Sequence, residues 1–580
     1  MSALTRGAAV AALAGLLVAS PAAAIRFGPK ESLELRGKVY TQYTVATERS
    51  QQYTEPEINE GDLKQWRTFY NPEFEVDFRR LLGLRKLLDE FKGRVAIWGF
   101  YDGIYDFGPE RFRQNLGRTK RTRNTDGLNA QAAFYSKGRS EAEALENRGS
   151  RRDGREFYGR RTRVNEAYVS MAKGPLFLRI GRQAISWGEA DTIGLLDANN
   201  PFDVLIQPGL LIDLDEARIP LWTLRATYEL FSVLGPFSSG FIEGYWVPGW
   251  LDTEVGFLNI QGVSPFSQPP PIQGPGIQVF DKLPEYATEN SRWGVKLQTV
   301  INRNYNLAVW FYRTYNLVPI PTLAGISKDV APGVPGYVTT ILHHELTNVW
   351  GVSLSWYSEA IKSIVRTELE LFQDEPSFLA HKAIGAAVDS GFTQKGTFER
   401  ANILRGEFGV DYNFFVPLLN PSSSFLAISS IVFEANLDET DNKDFRTPIL
   451  KPSAIERQLA GGATAGQIAP ASCDNKDTPA GAGGRCDFVN IDPIEAFAQV
   501  TLRSDFMHGR LTPQVTTIAT FRGALTFAPS LLYRFTDNLL FDVKYVNTHT
   551  FGSGDNGYTK GVGLNRDRDQ LWVRATVQLN

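Results

Sequence analysis

The chain has 580 residues, with 61 Lys and Arg against 64 Asp and Glu; a net charge of −3 gives it no general polyanion-binding character, and nucleic acid is not an expected partner. Aromatic residues are abundant (37 Phe, 21 Tyr, 11 Trp), whereas 5 His, 3 Met and 2 Cys offer little material for metal or thiol chemistry, and no cofactor is expected. Beyond the amino-terminal segment there is no apolar run long enough for a membrane helix, which still leaves a closed barrel of strands as a way across a bilayer.

The first residues read as an export signal. Arg6 precedes an apolar run from Ala8 to Val18, and Ser20-Pro21-Ala22-Ala23-Ala24 supplies an A-x-A cleavage pattern. Residues 1–24 are therefore expected to be a cleaved signal peptide, and 25–580 a single domain.

From there the chain alternates with period two. In Leu33–Val45 the odd positions include Leu33, Leu35, Val39, Tyr43 and Val45, and the even ones Glu34, Arg36, Lys38 and Gln42. A tilted strand crossing a bilayer needs about 9–11 residues, with one face to lipid and the other to a wet lumen. The same rhythm predicts further strands at Pro72–Arg80, Gly93–Asp102, Arg163–Lys173, Leu176–Gln183, Trp222–Val233 and Ser238–Trp246. It continues at Arg292–Ile301, Asn306–Tyr315, Asn348–Trp356, Lys362–Phe372, Ile403–Phe414 and Phe425–Leu437. It ends with Ile494–Arg503, Leu511–Phe521, Leu525–Phe535, Leu539–Asn547 and Gln570–Leu579.

The connections set the architecture. Short turns such as Gly174-Pro175, Gly235-Pro236, Arg303-Asn304 and Asp537-Asn538 alternate with long links, with exceptions at Arg522-Gly523 and at Leu81–Lys92, which looks like a small helix. Outer-membrane barrels have short periplasmic turns, long extracellular loops and an even strand count. The expected fold is all-β: a transmembrane antiparallel outer-membrane barrel of about 18 strands (16–18), with an inward-folded loop. Trp222, Trp246, Trp293, Trp356 and Trp572 lie near strand ends, as in aromatic girdles. A soluble sandwich would need neither pattern.

Alternation also assigns the two faces of the wall. In Ile403–Phe414 it directs Leu404, Phe408, Val410, Tyr412 and Phe414 to lipid, and Arg405, Glu407 and Asp411 to the lumen. By the same logic Arg225, Glu229, Lys296, Arg366, Glu368 and Arg574 point inward. Both signs are interspersed, so cross-strand ion pairs are the expected use.

Three loops stand out. Ile193–Leu214 is strongly apolar although it falls in an extracellular link, so it should fold into the lumen, pack on other loops or meet an apolar ligand. The run Gly262–Pro284, with Pro269-Pro270-Pro271, should not continue a sheet and is expected to cap the pore. Between Tyr105 and Arg163 many basic residues, including Arg118, Arg121, Arg160 and Arg161, make an external loop suited to lipopolysaccharide phosphates. Cys473 and Cys486 share a Gly-rich stretch and are expected to form a local disulfide in an oxidising compartment.

Five pieces carry a resemblance: Asn165-Glu166-Ala167-Tyr168, Gly181-Arg182-Gln183, Ser186-Trp187-Gly188, Asn200-Pro201 with Asp203, and Ile219-Pro220-Leu221-Trp222 followed by Leu224-Arg225. Together they resemble the barrels of domain-of-unknown-function family 1302. The resemblance implies an outer-membrane location in a Gram-negative bacterium and a part in transport. It implies contact with outer-membrane lipid, lipopolysaccharide and the barrel-assembly machinery, and work beside periplasmic and inner-membrane transport proteins on lipids or other hydrophobic compounds. It brings no catalytic residues. One departure is the end of the chain, Val577-Gln578-Leu579-Asn580, where such barrels usually finish on an aromatic residue.

Candidate lumen or plug residues are Arg182, Trp187, Asp191, Leu195, Leu196, Asn200, Pro201, Phe202 and Asp203, with Arg182 and Asp191 as a charged latch. The expected function is a channel for hydrophobic or amphipathic compounds. The alternatives are a general porin for small hydrophilic solutes and a surface adhesin or scaffold. A hydrolase would need a nucleophile beside a histidine, and the one histidine cluster, His343-His344-Glu345, fits no zinc motif, so no enzyme is expected.

Overall fold

A computed structural model describes residues 24–50, 58–84, 86–110, 112, 119–123, 158–188, 196–203, 214–257, 265–266, 277–326, 338–377, 399–438, 446–450, 452–462, 488–490, 493–551 and 561–579. Residues 1–23, Asp191, Leu195, Cys473 and Cys486 lie outside this set, and so do the expectations that concern them.

Eighteen strands form one closed antiparallel barrel. The first nine are β1 (Leu33–Ala46), β2 (Leu63–Asp77), β3 (Glu90–Asp102), β4 (Arg160–Lys173), β5 (Leu176–Gln183), β6 (Leu221–Leu234), β7 (Phe237–Val247), β8 (Arg292–Ile301) and β9 (Tyr305–Tyr315). The rest are β10 (Leu346–Ser358), β11 (Ser363–Ser377), β12 (Glu399–Phe414), β13 (Phe425–Asn436), β14 (Ile494–Ser504), β15 (Leu511–Thr520), β16 (Ala524–Arg534), β17 (Leu539–Thr550) and β18 (Gln570–Leu579). Each pairs with the next in sequence, and β18 returns to β1 with Leu579 opposite Gly37 and Gln570 opposite Ala46. Closure leaves no open sheet edge, which is what hydrocarbon requires of strands.

All eighteen expected strands are present. The largest shift is β2, which begins at Leu63, nine residues before Pro72; its tail Phe78–Leu82 is instead a short helix, capped by the Asp77 side chain. Arg160 and Arg161, read as part of an external basic loop, belong to β4. Most of that loop's other basic residues lie outside the described set.

Period two decides what each face meets. In β12, Arg405 and Glu407 are buried, whereas Phe408 is 50% and Tyr412 44% exposed. Ile180, Leu224, Trp350, Ile431 and Val543 are exposed on other strands in the same way. A continuous apolar exterior of this kind is unfavourable in water and stable in lipid. Aromatic side chains gather along it. Trp293 packs on Phe311 at 5.0 Å and Phe311 on Trp350 at 4.5 Å near one rim, and Tyr305 on Trp356 at 6.3 Å near the other. Trp222, Trp246 and Trp293 are exposed as a girdle requires. Trp572 is not: its neighbours Leu571 and Val573 take the outer face, so Trp572 faces inward and packs with Ala528 and Val546.

Above the rim with the long links, four short strands form a second sheet. Val338–His343 pairs antiparallel with Ile320–Ile326 and parallel with Ile277–Lys282, which pairs with Thr119–Thr122. The Gly262–Pro284 run therefore does contribute a strand. Between Gly276 and Leu283 it holds no proline, so nothing blocks the ladder there.

Candidate functional site

The link between β5 and β6 turns into the barrel, and its seating can be followed from one side of the wall to the other. Trp187 is 2% exposed. Its indole Nε1 donates to Glu243 Oε1 on β7 at 2.6 Å, its ring packs edge-on against Tyr245 at 5.1 Å and Tyr312 at 6.2 Å, and the Lys296 ammonium of β8 lies 5.6 Å from its centroid. Gly188 follows with φ +94°, a conformation that suits glycine, and a Cβ there would fall 2.3 Å from Glu368 Oε2 on β11. The segment thus rests directly on the far wall.

The next described stretch packs just as closely. Leu196 is 1% exposed, and its carbonyl oxygen lies 3.2 Å from Tyr312 Oη. The same hydroxyl sits 3.2 Å from Glu370 Oε2, and Trp310 Nε1 donates to that carboxylate at 2.8 Å. Thr314 donates to Ala198 O at 3.0 Å, and Tyr245 donates to Asn199 Oδ1 at 2.9 Å. Asn200 staples the segment to itself, accepting from Ile185 N at 2.7 Å and donating to Ile219 O at 2.8 Å. Pro201 O accepts from Ile219 N at 2.8 Å, and Phe202 O from Phe257 N at 3.0 Å. These bonds meet the backbone needs of an irregular segment away from bulk water.

The expected Arg182–Asp191 latch involves Asp191, which lies outside the described residues; among the described residues other charged pairs hold the segment. Asp203 is fully buried and pairs with Arg161 of β4. Arg218 pairs with Asp197 at 2.7 Å, and Glu216 reaches β1, where Lys38 lies at 2.6 Å and Tyr40 donates at 2.9 Å. Arg182 instead approaches Asp252, at 3.9 Å, a residue that also caps the start of β6 by accepting from Trp222 N at 2.8 Å. Among its described residues the link thus meets the wall on both sides: Glu216 contacts β1, and Gly188 lies against Glu368 of β11.

The wall charges pair mostly with each other. Arg225 meets Glu243 at 2.8 Å, Arg366 meets Asp411 at 2.9 Å, and Arg405 meets Glu434 at 2.7 Å and Glu375 at 2.9 Å. Arg574 donates to Gln42 at 2.9 Å and lies 4.2 Å over the Tyr40 ring. Glu407 is buried opposite Glu368. Glu229 is exposed near a short turn and accepts from Ser232 at 2.7 Å.

Beneath the inward segment, toward the short-turn rim, is a cavity of about 490 Å3, lined by residues that include Lys38, Asn71, Arg94, Trp98, Glu166 and Glu216. Of these, Asn71, Arg94, Trp98 and Glu216 are not singled out by the sequence reading. Period two in β3 was the available signal, since it sets Arg94, Ala96, Trp98 and Phe100 on one face. His344, by contrast, lies among the links above the rim, buried with Nε2 2.6 Å from Asp281 Oδ1.

An apolar exterior, a charged interior, eighteen closed strands and an inward loop define a porin-like outer-membrane β-barrel. The family described as "Protein of unknown function (DUF1302)" matches residues 5–579, and the chain belongs to it. No curated protein matches the chain. Among solved structures, OccK9 (OpdG) of Pseudomonas aeruginosa is similar at 11% identity and a TM-score of 0.41, covering 95% of this chain and 100% of that one. The outer membrane channel DcaP of Acinetobacter baumannii gives 10% identity and 0.35, covering 95% and 99%. Wzi of Escherichia coli, a carbohydrate-binding β-barrel involved in group 1 capsule assembly, gives 7% and 0.38, covering 93% and 84%. Likeness at this level carries no function across.

Proposed function

We propose that the protein is a restrictive channel for small polar solutes, with the segment between β5 and β6 setting the passage. One observation carries the reading: described residues of this segment contact opposite parts of the wall, Glu216 at β1 and Gly188 beside Glu368 of β11, and charged and amide side chains are prominent in the lining of the space beneath. Eighteen strands enclose more room than wall side chains fill, so what crosses the lumen controls what passes.

The expectation of a path for hydrophobic compounds drew on the apolar run Ile193–Leu214. Leu196 is 1% exposed and its carbonyl accepts from Tyr312 of β9, which argues for seating rather than for solute contact. A second reading, passage of amphipathic compounds, draws on the apolar patch of Ala528, Val546 and Trp572 on the inner face of β16–β18.

Swelling of liposomes that hold the purified protein separates the two. Rapid entry of small sugars and amino acids, falling off with size, supports the polar channel. No entry of polar solutes, together with a defect in handling apolar compounds in a deletion strain, would replace it with the second reading.

A further inference from the structure

We infer that the outer face of β8–β11, at the rim with the long links, holds a docking site for a phosphorylated glycolipid of the outer leaflet. The inference does not depend on what passes through the lumen, and it begins with a cation on the lipid side of the wall. In β9 the buried side chains of Trp310, Tyr312 and Thr314 point to the lumen, so the alternate positions Val309, Phe311 and Arg313 point outward. Val309 is exposed there, and Arg313 is half-buried. Among the described residues Arg313 makes no hydrogen bond and no ion pair. A guanidinium facing a bilayer is costly when nothing matches its charge.

Its neighbours give the site its shape. Arg313 stands opposite Trp293 on β8 and Asn348 on β10, and Asn348 stands opposite Gln373 on β11. Cross-strand partners share a face, so this row of one guanidinium and two amides looks outward. Among the described residues the Asn348 amide has no hydrogen bond; Gln373 is exposed, with Oε1 3.5 Å from Trp350 Nε1. Trp293, 42% exposed, and Trp350, 53% exposed, flank Phe311 in the aromatic stack that borders the row. Arg400 closes the far edge: it donates to the Leu346 and Asp374 carbonyl oxygens and is matched by Glu345 at 3.0 Å, which leaves Arg313 as the cation still to be answered. Up the wall the order is therefore apolar surface, aromatic girdle, then charge and amides. A phosphorylated glycolipid presents the same order, with acyl chains, a sugar ring and a phosphate among hydroxyls. The Arg313 fork suits the phosphate, the amides suit the hydroxyls, and the indoles suit the C–H face of the sugar. The site continues the lipid-facing exterior, so its occupant is a lipid, and the long links place it in the outer leaflet.

Native mass spectrometry of the full chain released from detergent reads lipid retention directly. The probes are bis-phosphorylated lipid A, the same lipid A stripped of its phosphates, and phosphatidylglycerol. Lipid A should bind at least tenfold more tightly than the stripped form, which lacks the charge, and than phosphatidylglycerol, which has a phosphate without the sugar. Arg313→Gln should weaken lipid A at least tenfold and Arg313→Lys by less, because Lys keeps the charge without the fork. Asn348→Asp gives Arg313 a cross-strand carboxylate, so it should weaken lipid A as strongly, and it serves if Arg313→Gln does not fold. Lys173→Gln, where β4 ends at the opposite rim, should leave retention unchanged. Absence of lipid A binding, or equal retention of either comparison lipid, would overturn the site. So would wild-type retention in folded Arg313→Gln or Asn348→Asp protein, or an equal loss in Lys173→Gln.

Discussion

Gly188→Ala tests the seating of the inward segment at a single atom. The added Cβ would stand 2.3 and 2.5 Å from the two Glu368 oxygens, so the carboxylate has to move. A side chain at φ +94° adds backbone strain of about 1–2 kcal/mol. Displacing a buried charged acceptor from its partners costs about 1–3 kcal/mol more. Taking about 3 kcal/mol together, the ratio of seated to unseated segment falls by about two decades. In planar bilayers the variant should spend far more time in a larger-conductance state than the wild type. Gly174→Ala is the control, because Gly174 also has positive φ (+55°) but a Cβ there meets nothing within 4 Å. It pays for strain in a turn without touching the lumen, and its conductance should match the wild type. If folded Gly188→Ala channels were indistinguishable from Gly174→Ala channels, contact with Glu368 would not hold the segment in place.

Other expectations follow from the same contacts. Asp203→Asn keeps the shape but removes the charge facing Arg161, and should speed trypsin cleavage of the β5–β6 link without changing the heat-modifiable mobility of the barrel. Leu196→Asp places a charge in a site that is 1% exposed, and should likewise release the segment and raise conductance; unchanged permeability would remove Leu196 from the seat. Outside the membrane, burial and then the carboxylates of Asp569 and Asp567 push Glu48 up to about 6, with Arg566 opposing. An acid whose folded-state pKa is raised holds an extra proton when packed, so packing of the β1–β2 link against Asp567–Asp569 is favoured below about pH 6 and weakens as pH rises through it. Hydrogen-exchange protection factors in that link, corrected for the intrinsic rise of exchange with pH, should fall between pH 5 and pH 7.5, and Glu48→Gln should abolish the fall. His344→Ala breaks the contact with Asp281 and should loosen the sheet above the rim, read as faster proteolysis of the β9–β10 link.

The strands were readable because period two is a local property, and a wall with lipid on one side and water on the other imposes it on every strand. It failed where polar residues and proline blurred it. The first half of β2 carries Lys64, Gln65, Arg67 and Asn71 before Pro72, so the strand looked as though it began at the proline. Arg161 ends a run of basic residues that reads as a loop, although its side chain pairs with the buried Asp203 of the inward segment. Trp572 matched a girdle by position along its strand, and only the choice of face separated the two roles. The apolar character of Ile193–Leu214 points toward an inward fold, and of its described stretch Leu196–Asp203 every residue but the half-buried Phe202 is buried. Its partners could not be read, because Glu243, Tyr312, Glu370 and Tyr40 are distant in sequence and meet the segment only once the barrel closes. The cavity was hidden for the same reason, since its residues come from β1, β2, β3 and β4, from the link, and from the last residues of β18.

The central claim is that the segment between β5 and β6 sets the passage. Its most direct test replaces residues 187–217 with a short Gly-Ser linker, which removes Trp187, Gly188 and Asp203 but leaves all eighteen strands intact. Single-channel recordings in planar bilayers should then show a severalfold larger unitary conductance and a relaxed size limit. Unchanged conductance in a correctly folded barrel would contradict the account.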